Sequence, residues 1–505
     1  MLFYFRFFVI LRFNDKIRFY MSDIRKLEPE ELWNYFYEIT RIPHPSKKEK
    51  RIIDFMREFG NRNNLDTIVD EVGNVIIRKP ATPGMENRKG VILQTHLDMV
   101  PQKNNDTRHD FETDPIEAFV DGDWVKARGT TLGSDNGIGV AAAMTVLSSK
   151  DIQHGPVEAL FTVDEETGMT GANGLKKGLL NGDILLNLDS EDEGELCVGC
   201  AGGINVSVSK GFGQERSPQG MMTFRVEAKG LKGGHSGVDI ALGRANSNKI
   251  MFRFLMQAES DFGIRLAEAG GGDLRNAIPR EAYSVVLVPE IKEAEFLKFV
   301  KGYEEMYQSE FSDTEPDITF TCKKTETPEK VMKESDQYRI IRSVYACPDG
   351  VQRMSQAVKG LVETSNNLAI VKCADGKFEA YCLTRSSVDT AKVATAWKIA
   401  AVFHLIGAEV NLSGSYPGWK PNMESPILKT MSQAYEKKFG KSPAVKAIHA
   451  GLECGILGGI YPNLDMVSFG PTIKFPHSPD EKVYIPSVKK FFEYLCETLK
   501  QVPAK

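Results

Sequence analysis

The sequence predicts a layered α/β protein with a second, α+β segment inserted into it, and three observations point that way. From Leu27 to about Gly203, helix-type and strand-type segments alternate, the pattern of a sheet covered by helices. Near Gly203 the character changes to strands that read as antiparallel or mixed, and after about Ser415 the α/β alternation returns. At 505 residues the chain also exceeds what one hydrophobic core usually serves, so two domains are expected. Residues 21–203 and 416–505 are therefore read as two parts of one domain, 204–415 as the insertion, and 1–20 as a separate extension.

The extension comes first. MLFYFRFFVILRF is aromatic and apolar but interrupted by Arg6 and Arg12. A secretory signal would carry an unbroken apolar core and a small-residue cleavage site, and a membrane span needs about 20 apolar residues. Met21 opens MSDIRKLEPEELW, which reads as a natural start running into a helix, so residues 1–20 are expected to be non-native or disordered.

EELWNYFYEIT and KEKRIIDFMREFG have the spacing of amphipathic helices. TIVDEVGNVIIRK, GVILQTHLDMV, VEALFTVDE and DILLNLDS read as strands, and GIGVAAAMTVLSS as a buried helix whose alanines permit close packing on the sheet. In the insertion, INVSVSKGFG, MMTFRVEAKGL, YCLTRSSV and AEVNLSG are strand-like. IKEAEFLKFVKGYEEMYQSEF and TAKVATAWKIAAVFHLIG are helical, and SYPGW is a return turn. The final part supplies helix ESPILKTMSQAYEKKFG, strand DMVSFG and helix PSVKKFFEYLCETLKQV.

Composition narrows the function. With 42% hydrophobic and 26% charged residues and a net charge of -5, the chain has no general attraction for nucleic acid or a membrane surface. Its eight cysteines are scattered rather than framed as disulfides, which fits a reducing cytoplasm. Cys197 and Cys200 form CVGC, but no second pair lies nearby to complete a zinc knuckle.

The chemistry gathers at element ends. In VILQTHLDMV the period of a strand puts His96 and Asp98 on one face. Asp135 stands in TTLGSDNGIGVAAAM just before a helix, as a functional carboxylate or a helix cap. Glu165 and Glu166 follow a strand in VEALFTVDEETG, where a solvated acidic turn is the alternative. Asp189 closes the strand of DILLNLDSEDEGE, whose Glu191, Asp192, Glu193 and Glu195 read as a solvated loop. Carboxylates converging on a histidine repel one another unless a cation neutralises them. Imidazole with carboxylates suits Zn²⁺, or Mn²⁺ and Co²⁺, and adjacent acids can divide metal binding from proton transfer.

The ordered set THLDMV, GTTLGSDNGIGVA, VDEETGMTGA, LNLDSEDEGEL, GGHSGVDI, RNAIPR, HAGLECG and FPHSPDE closely resembles the aminoacyl-histidine (Xaa-His) dipeptidases, within the co-catalytic dizinc dipeptidase and carboxypeptidase family. The resemblance runs nearly full length from Met21. It implies a three-layer catalytic domain around a mostly parallel mixed sheet, with the insertion serving as a lid and dimerisation domain. It further implies two divalent ions bridged by Asp135, with His96 and Asp189 completing one site and Glu166 and His477 the other. Glu165 becomes the general base for the attacking water, and Asp98 orients His96. His235 becomes the lid donor to the oxyanion, and Asn276 and Arg385 become lid contacts to substrate, Arg385 suiting a free carboxylate. From the residues alone, PHSP around His477 also reads as an exposed turn and Arg385 as a surface ion pair. A cis peptide bond between Asp135 and Asn136 is implied too, and His44, His109, His154, His404 and His449 receive no catalytic role.

The implied activity is metal-dependent hydrolysis of dipeptides with a free N-terminus, including the β-alanyl-histidine type, by a cytoplasmic homodimer. N-acyl amino acid deacylation and tripeptide aminopeptidase activity would use the same metal set. A catalytically silent peptide-binding dimer is the alternative from another class, against which retention of Glu165 argues.

Overall fold

The computed structural model describes residues 23–505; the expectation for residues 1–20 lies outside them. The chain forms two compact units. The first takes the described residues up to Val198 with Asn422–Lys446 and Ile456–Lys505, and the second takes Gly199–Pro421 with Ala447–Gly455.

The first unit is built on a mixed eight-stranded sheet, in the order Asp66–Val69, Val75–Lys79, Val157–Thr162, Val91–His96, Ile184–Asn187, Asp465–Ser468, Glu195–Cys200, Ala444–Ile448. Val91–His96 pairs parallel with both neighbours, and Asp465–Ser468 pairs parallel with Ile184–Asn187. The pairings of Asp66–Val69 with Val75–Lys79 and of Val75–Lys79 with Val157–Thr162 are antiparallel. Every residue of Val91–His96 and Val157–Thr162 is buried, as central strands covered on both faces require. The helix Ser134–Ser148 is buried along nearly its whole length. Its small residues let the Glu30–Thr40 helix close on it: a Cβ added at Gly137 would meet the Phe36 ring at 3.0 Å. A separate four-stranded antiparallel sheet joins Ile473–Lys474, Lys482–Tyr484, Trp124–Ala127 and Ala118–Asp121, and His477 lies in the loop between its first two strands.

The second unit is an antiparallel sheet. Its main path runs Thr319–Lys324, Met221–Lys229, Ala282–Pro289, Arg265–Gly271, Val362–Ala374, Lys377–Ser386, Gly202–Gly211, Glu409–Tyr416. The helices Ser247–Phe262, Glu293–Glu310, Glu334–Ala346 and Asp389–His404 pack on it. Phe224, Phe254, Phe296 and Phe320 interlock in its core, and buried Tyr307 satisfies its hydroxyl on the Ile250 carbonyl at 2.7 Å. The pairing Ser365↔Arg385 sets those two side chains next to each other on one face of the sheet.

Candidate active site

His96 ends its strand pointing into a cluster of acids. Its Nε2 lies 3.1 Å from Asp135 Oδ1 and 3.3 Å from Asp189 Oδ1. Its Nδ1 lies 3.0 Å from the Asp98 carbonyl and 3.4 Å from Asp98 Oδ1, so Nδ1–H donates toward Asp98 while Nε2 faces the cluster. The other oxygen of Asp135 faces His477, whose Nε2 is 3.4 Å from Asp135 Oδ2 and 3.0 Å from Glu166 Oε2. Asp135 thus stands between two half-sites, His96 with Asp189 and His477 with Glu166. Each trio places its ligand atoms within 4.8 Å of one another, as do His96, Glu165 and Glu166.

Local structure explains these positions. The helix carrying Asp135 begins after Gly133 with a kink; Asp135 itself has φ -86° and ψ 105°, and its carboxylate faces His96 and His477. The Asp135–Asn136 peptide bond is cis, and Asn136 Nδ2 donates to the Leu188 carbonyl at 2.7 Å, tying this turn to the strand end that carries Asp189. Glu165 and Glu166 open a one-turn helix at the end of the Val157–Thr162 strand, and the Glu166 side chain is 5% exposed rather than solvated. Asp164, with φ 53°, accepts the hydroxyls of Thr167 and Thr170 and serves the turn.

Asp98 does more than orient His96. Its Oδ1 accepts the Glu165 N–H at 2.9 Å, and its Oδ2 accepts the Glu166 N–H at 3.2 Å and the Ser46 hydroxyl at 2.8 Å. Ser46, which the sequence does not single out, lies 52 positions away and has no local signal.

The electrostatics call for cations. Burial, reinforced by the charges of Asp135 and Glu166 against that of His96, pushes Asp189 up to about 7. Hydrogen bonds donated to the Asp135 and Glu166 carboxylates raise His477 to about 11. Burial would raise Asp98, but the hydrogen bond and charge of His96 and the Glu165 N–H bring it down to about 2. Glu191, expected in a solvated loop, is instead half-buried and raised to about 7 by burial and then by Asp135. Glu193 is also engaged, accepting the Tyr435 hydroxyl at 2.6 Å. Glu166 Oε1 is buried without a hydrogen-bond donor among the described residues, and Asp189 Oδ1 is buried beside His96 Nε2. Oxygens of this kind beside imidazole nitrogens fit divalent cations, which would neutralise the cluster and displace protons from the two histidines.

A second constellation lies in the second unit. His235 Nδ1 accepts the N–H groups of Gly237 at 3.3 Å and Val238 at 3.1 Å, so its proton sits on Nε2. Arg385 is 5% exposed, which removes the surface ion pair as a reading. Its donors reach Ser236 Oγ at 3.4 Å, Tyr416 Oη at 3.2 Å and the His235 Nε2 position at 3.4 Å, and no carboxylate pairs with it among the described residues. The His235 Nε2–H and the Arg385 guanidinium therefore face each other with no carboxylate between them among the described residues. Asn276 is exposed, and its carbonyl accepts the Ser236 N–H at 2.8 Å beside His235. His449, given no role from sequence, is buried nearby with Nε2 2.7 Å from Ser365 Oγ. Burial and then the Arg385 charge lower it to about 3 and keep it neutral.

His44 and His154 are buried on the carbonyls of Ile42 and Gly155. Cys197 and Cys200 are buried in the Glu195–Cys200 strand, and the Cys200 thiol lies 3.8 Å from the Leu452 carbonyl.

The profile of Peptidase family M20/M25/M40 matches residues 92–501. This chain belongs to that family. The M20 chain is 45% identical to the cytosol non-specific dipeptidase of Escherichia coli (strain K12) over 485 residues, 96% of this chain and 100% of that protein. Among solved structures it is similar to aminoacylhistidine dipeptidase from Vibrio alginolyticus, with 48% identity, a TM-score of 0.91, and coverage of 96% of this chain and 99% of that one. Aminopeptidase PepT from Bacillus cereus shares the fold at 17% identity and a TM-score of 0.55, over 94% of this chain and 99% of that one. As a member of the M20 family the chain is a metallopeptidase. No helix among its described residues is long and apolar enough to cross a membrane.

Proposed function

We propose that this M20 chain is a cytoplasmic, homodimeric dipeptidase that hydrolyses dipeptides with a free N-terminus, Xaa-His dipeptides such as β-alanyl-histidine among them. The observation that carries this reading is Asp135, whose two oxygens face His96 and His477 separately, each histidine backed by one further carboxylate. His96, Asp135 and Asp189 would hold one divalent ion and Asp135, Glu166 and His477 the other, with Zn²⁺ best suited and Mn²⁺ or Co²⁺ also compatible. When bound, the ions supply Lewis-acid polarisation of the scissile carbonyl and lower the pKa of water.

The chain's own groups do the rest. Glu165 takes the proton of the attacking water and returns it to the leaving amine. Asp98 fixes the backbone of Glu165, so the base and the neighbouring ligand Glu166 are set by one carboxylate. His235 offers its Nε2 proton to the carbonyl oxygen as charge develops there. The buried guanidinium of Arg385, which has no carboxylate partner among the described residues, takes the C-terminal carboxylate, and Asn276 adds a polar contact. In the homodimer, joined through the second unit, His235 of one subunit serves the metal cluster of the other.

The test is metal content together with turnover over a panel of blocked and unblocked peptides. Unblocked dipeptides should be cleaved by protein holding two ions. Preference for N-acyl amino acids or tripeptides would move the assignment to deacylase or tripeptide aminopeptidase, and binding without turnover by the loaded protein would leave a peptide-binding dimer.

A further inference from the structure

Glu481 lies four residues beyond His477 in the loop between the Ile473–Lys474 and Lys482–Tyr484 strands, and is 2% exposed. Its carboxylate is gripped by a single stretch of chain. Oε2 accepts the N–H groups of Leu132 at 2.8 Å and Gly133 at 3.2 Å. Oε1 accepts the Ser134 N–H at 2.8 Å, the Ser134 hydroxyl at 2.6 Å and the Asp135 N–H at 3.4 Å. Gly133, at φ 70°, turns these successive N–H groups toward one point and makes a nest for an anion.

We propose that Glu481 is the positioning residue that fixes Asp135 relative to His477, so that metal affinity depends on its carboxylate. The inference rests on the metallopeptidase reading above. Neither ligand is held by regular secondary structure. Asp135 sits in a kinked helix start with φ -86° and ψ 105°, and His477 sits in a loop with φ 60°. Glu481 joins the two segments. Its backbone belongs to the turn of His477, where the Glu481 N–H donates to the Ser478 carbonyl at 3.0 Å and the Ser478 hydroxyl to the Phe475 carbonyl at 3.0 Å. Its side chain belongs to the loop of Asp135. Glutamine has the same shape, but its amide nitrogen would oppose one of the two sets of N–H donors, so Glu481→Gln breaks half of the clamp. Aspartate keeps both acceptors on a shorter stem and retains part of it.

The experiment measures Zn²⁺ affinity of metal-stripped protein by competition with a chromophoric chelator, with the visible spectrum of Co²⁺-loaded protein as a second readout. Unmodified protein should bind two ions; if it binds none, the metallopeptidase reading fails and this inference falls with it. Glu481→Gln should weaken at least one ion tenfold or more and alter the Co²⁺ bands, and Glu481→Asp should recover part of both. Affinities in Glu481→Gln within twofold of an unmodified protein that does bind two ions overturn the inference alone. Should Glu481→Gln not fold, Ser134→Ala decides, because it deletes only the hydroxyl contact from a fully buried residue. A threefold or greater loss of affinity is then expected, and unchanged affinity overturns the inference.

Discussion

Asp98→Asn is the sharpest probe of how this site is assembled. The carboxylate accepts from Glu165 N–H, Glu166 N–H and Ser46 Oγ, and its Oδ1 is 3.4 Å from His96 Nδ1. Asparagine keeps one oxygen and places an NH₂ where the other stood. Whichever way it is flipped, that NH₂ meets the N–H of Glu165 or of Glu166, two donors in conflict. Hydrogen bonds to a charged group contribute roughly 1.5–3 kcal/mol each, and a buried donor left without a partner costs about 1–3 kcal/mol. Losing one such bond and relaxing the pair of glutamates should therefore cost about 2–4 kcal/mol of transition-state stabilisation, or about 30- to 1,000-fold in kcat/KM. The assay is steady-state hydrolysis of β-alanyl-histidine in excess Zn²⁺, with metal content measured on the same samples. A variant that keeps both ions and remains within threefold of the parent would refute the idea that Asp98 sets the base.

Other outcomes are equally specific. Glu165→Gln should abolish turnover while both ions stay bound, whereas Glu166→Gln should lose metal; metal analysis showing the reverse would exchange their roles. Arg385→Ala should raise KM for dipeptides with a free C-terminal carboxylate by about 100-fold, as expected for removal of a buried charge-assisted pair of roughly 3 kcal/mol, and leave C-terminally amidated dipeptides little changed. His449 is held near 3 by burial, so between about pH 3 and 6.5 the unfolded chain binds a proton that the fold does not. It therefore contributes full stability above pH 6.5 and loses it on acidification, at about 1.4 kcal/mol for each pH unit crossed in that window. His449→Gln should flatten the fall in denaturation midpoint across that window, and an unaltered slope would contradict the burial argument. A His235→Ala chain co-expressed with a His96→Ala, Asp135→Ala chain should form an active heterodimer from two inactive parents, because the intact cluster of one receives the intact histidine of the other. An isolated heterodimer with normal metal and no activity would leave His235 to its own subunit.

The parts of the site that are legible in sequence are those fixed by local periodicity. His96 and Asp98 share a face because a strand repeats every two residues, and Glu165 and Asp189 follow apolar strands whose ends collect on one edge of the sheet. Residues placed by long-range contacts are not legible. Ser46 reaches Asp98 across the fold, and His449 reaches Ser365 because Ala447–Gly455 returns to the second unit, a crossing no hydropathy pattern announces. His477 sits at positive φ in a hairpin loop and its side chain is 51% exposed, so its environment from sequence is that of any surface turn. Arg385 shows the same limit from the other side, since its meaning lies in burial with no carboxylate partner among the described residues, which only tertiary structure reveals. Glu191 stands in a run of acids and so reads as solvated, yet it is half-buried and feels the charges of Asp135 and His477.

The central claim is that His96, Asp135, Asp189, Glu166 and His477 would together hold two divalent ions, on which dipeptide hydrolysis by this chain depends. Chelator-stripped protein titrated with Zn²⁺ while β-alanyl-histidine hydrolysis is followed tests it directly. No turnover without metal, with activity that develops only as the second equivalent per chain is bound, is the predicted result. Turnover by the stripped protein, or full activity at one equivalent, would contradict it.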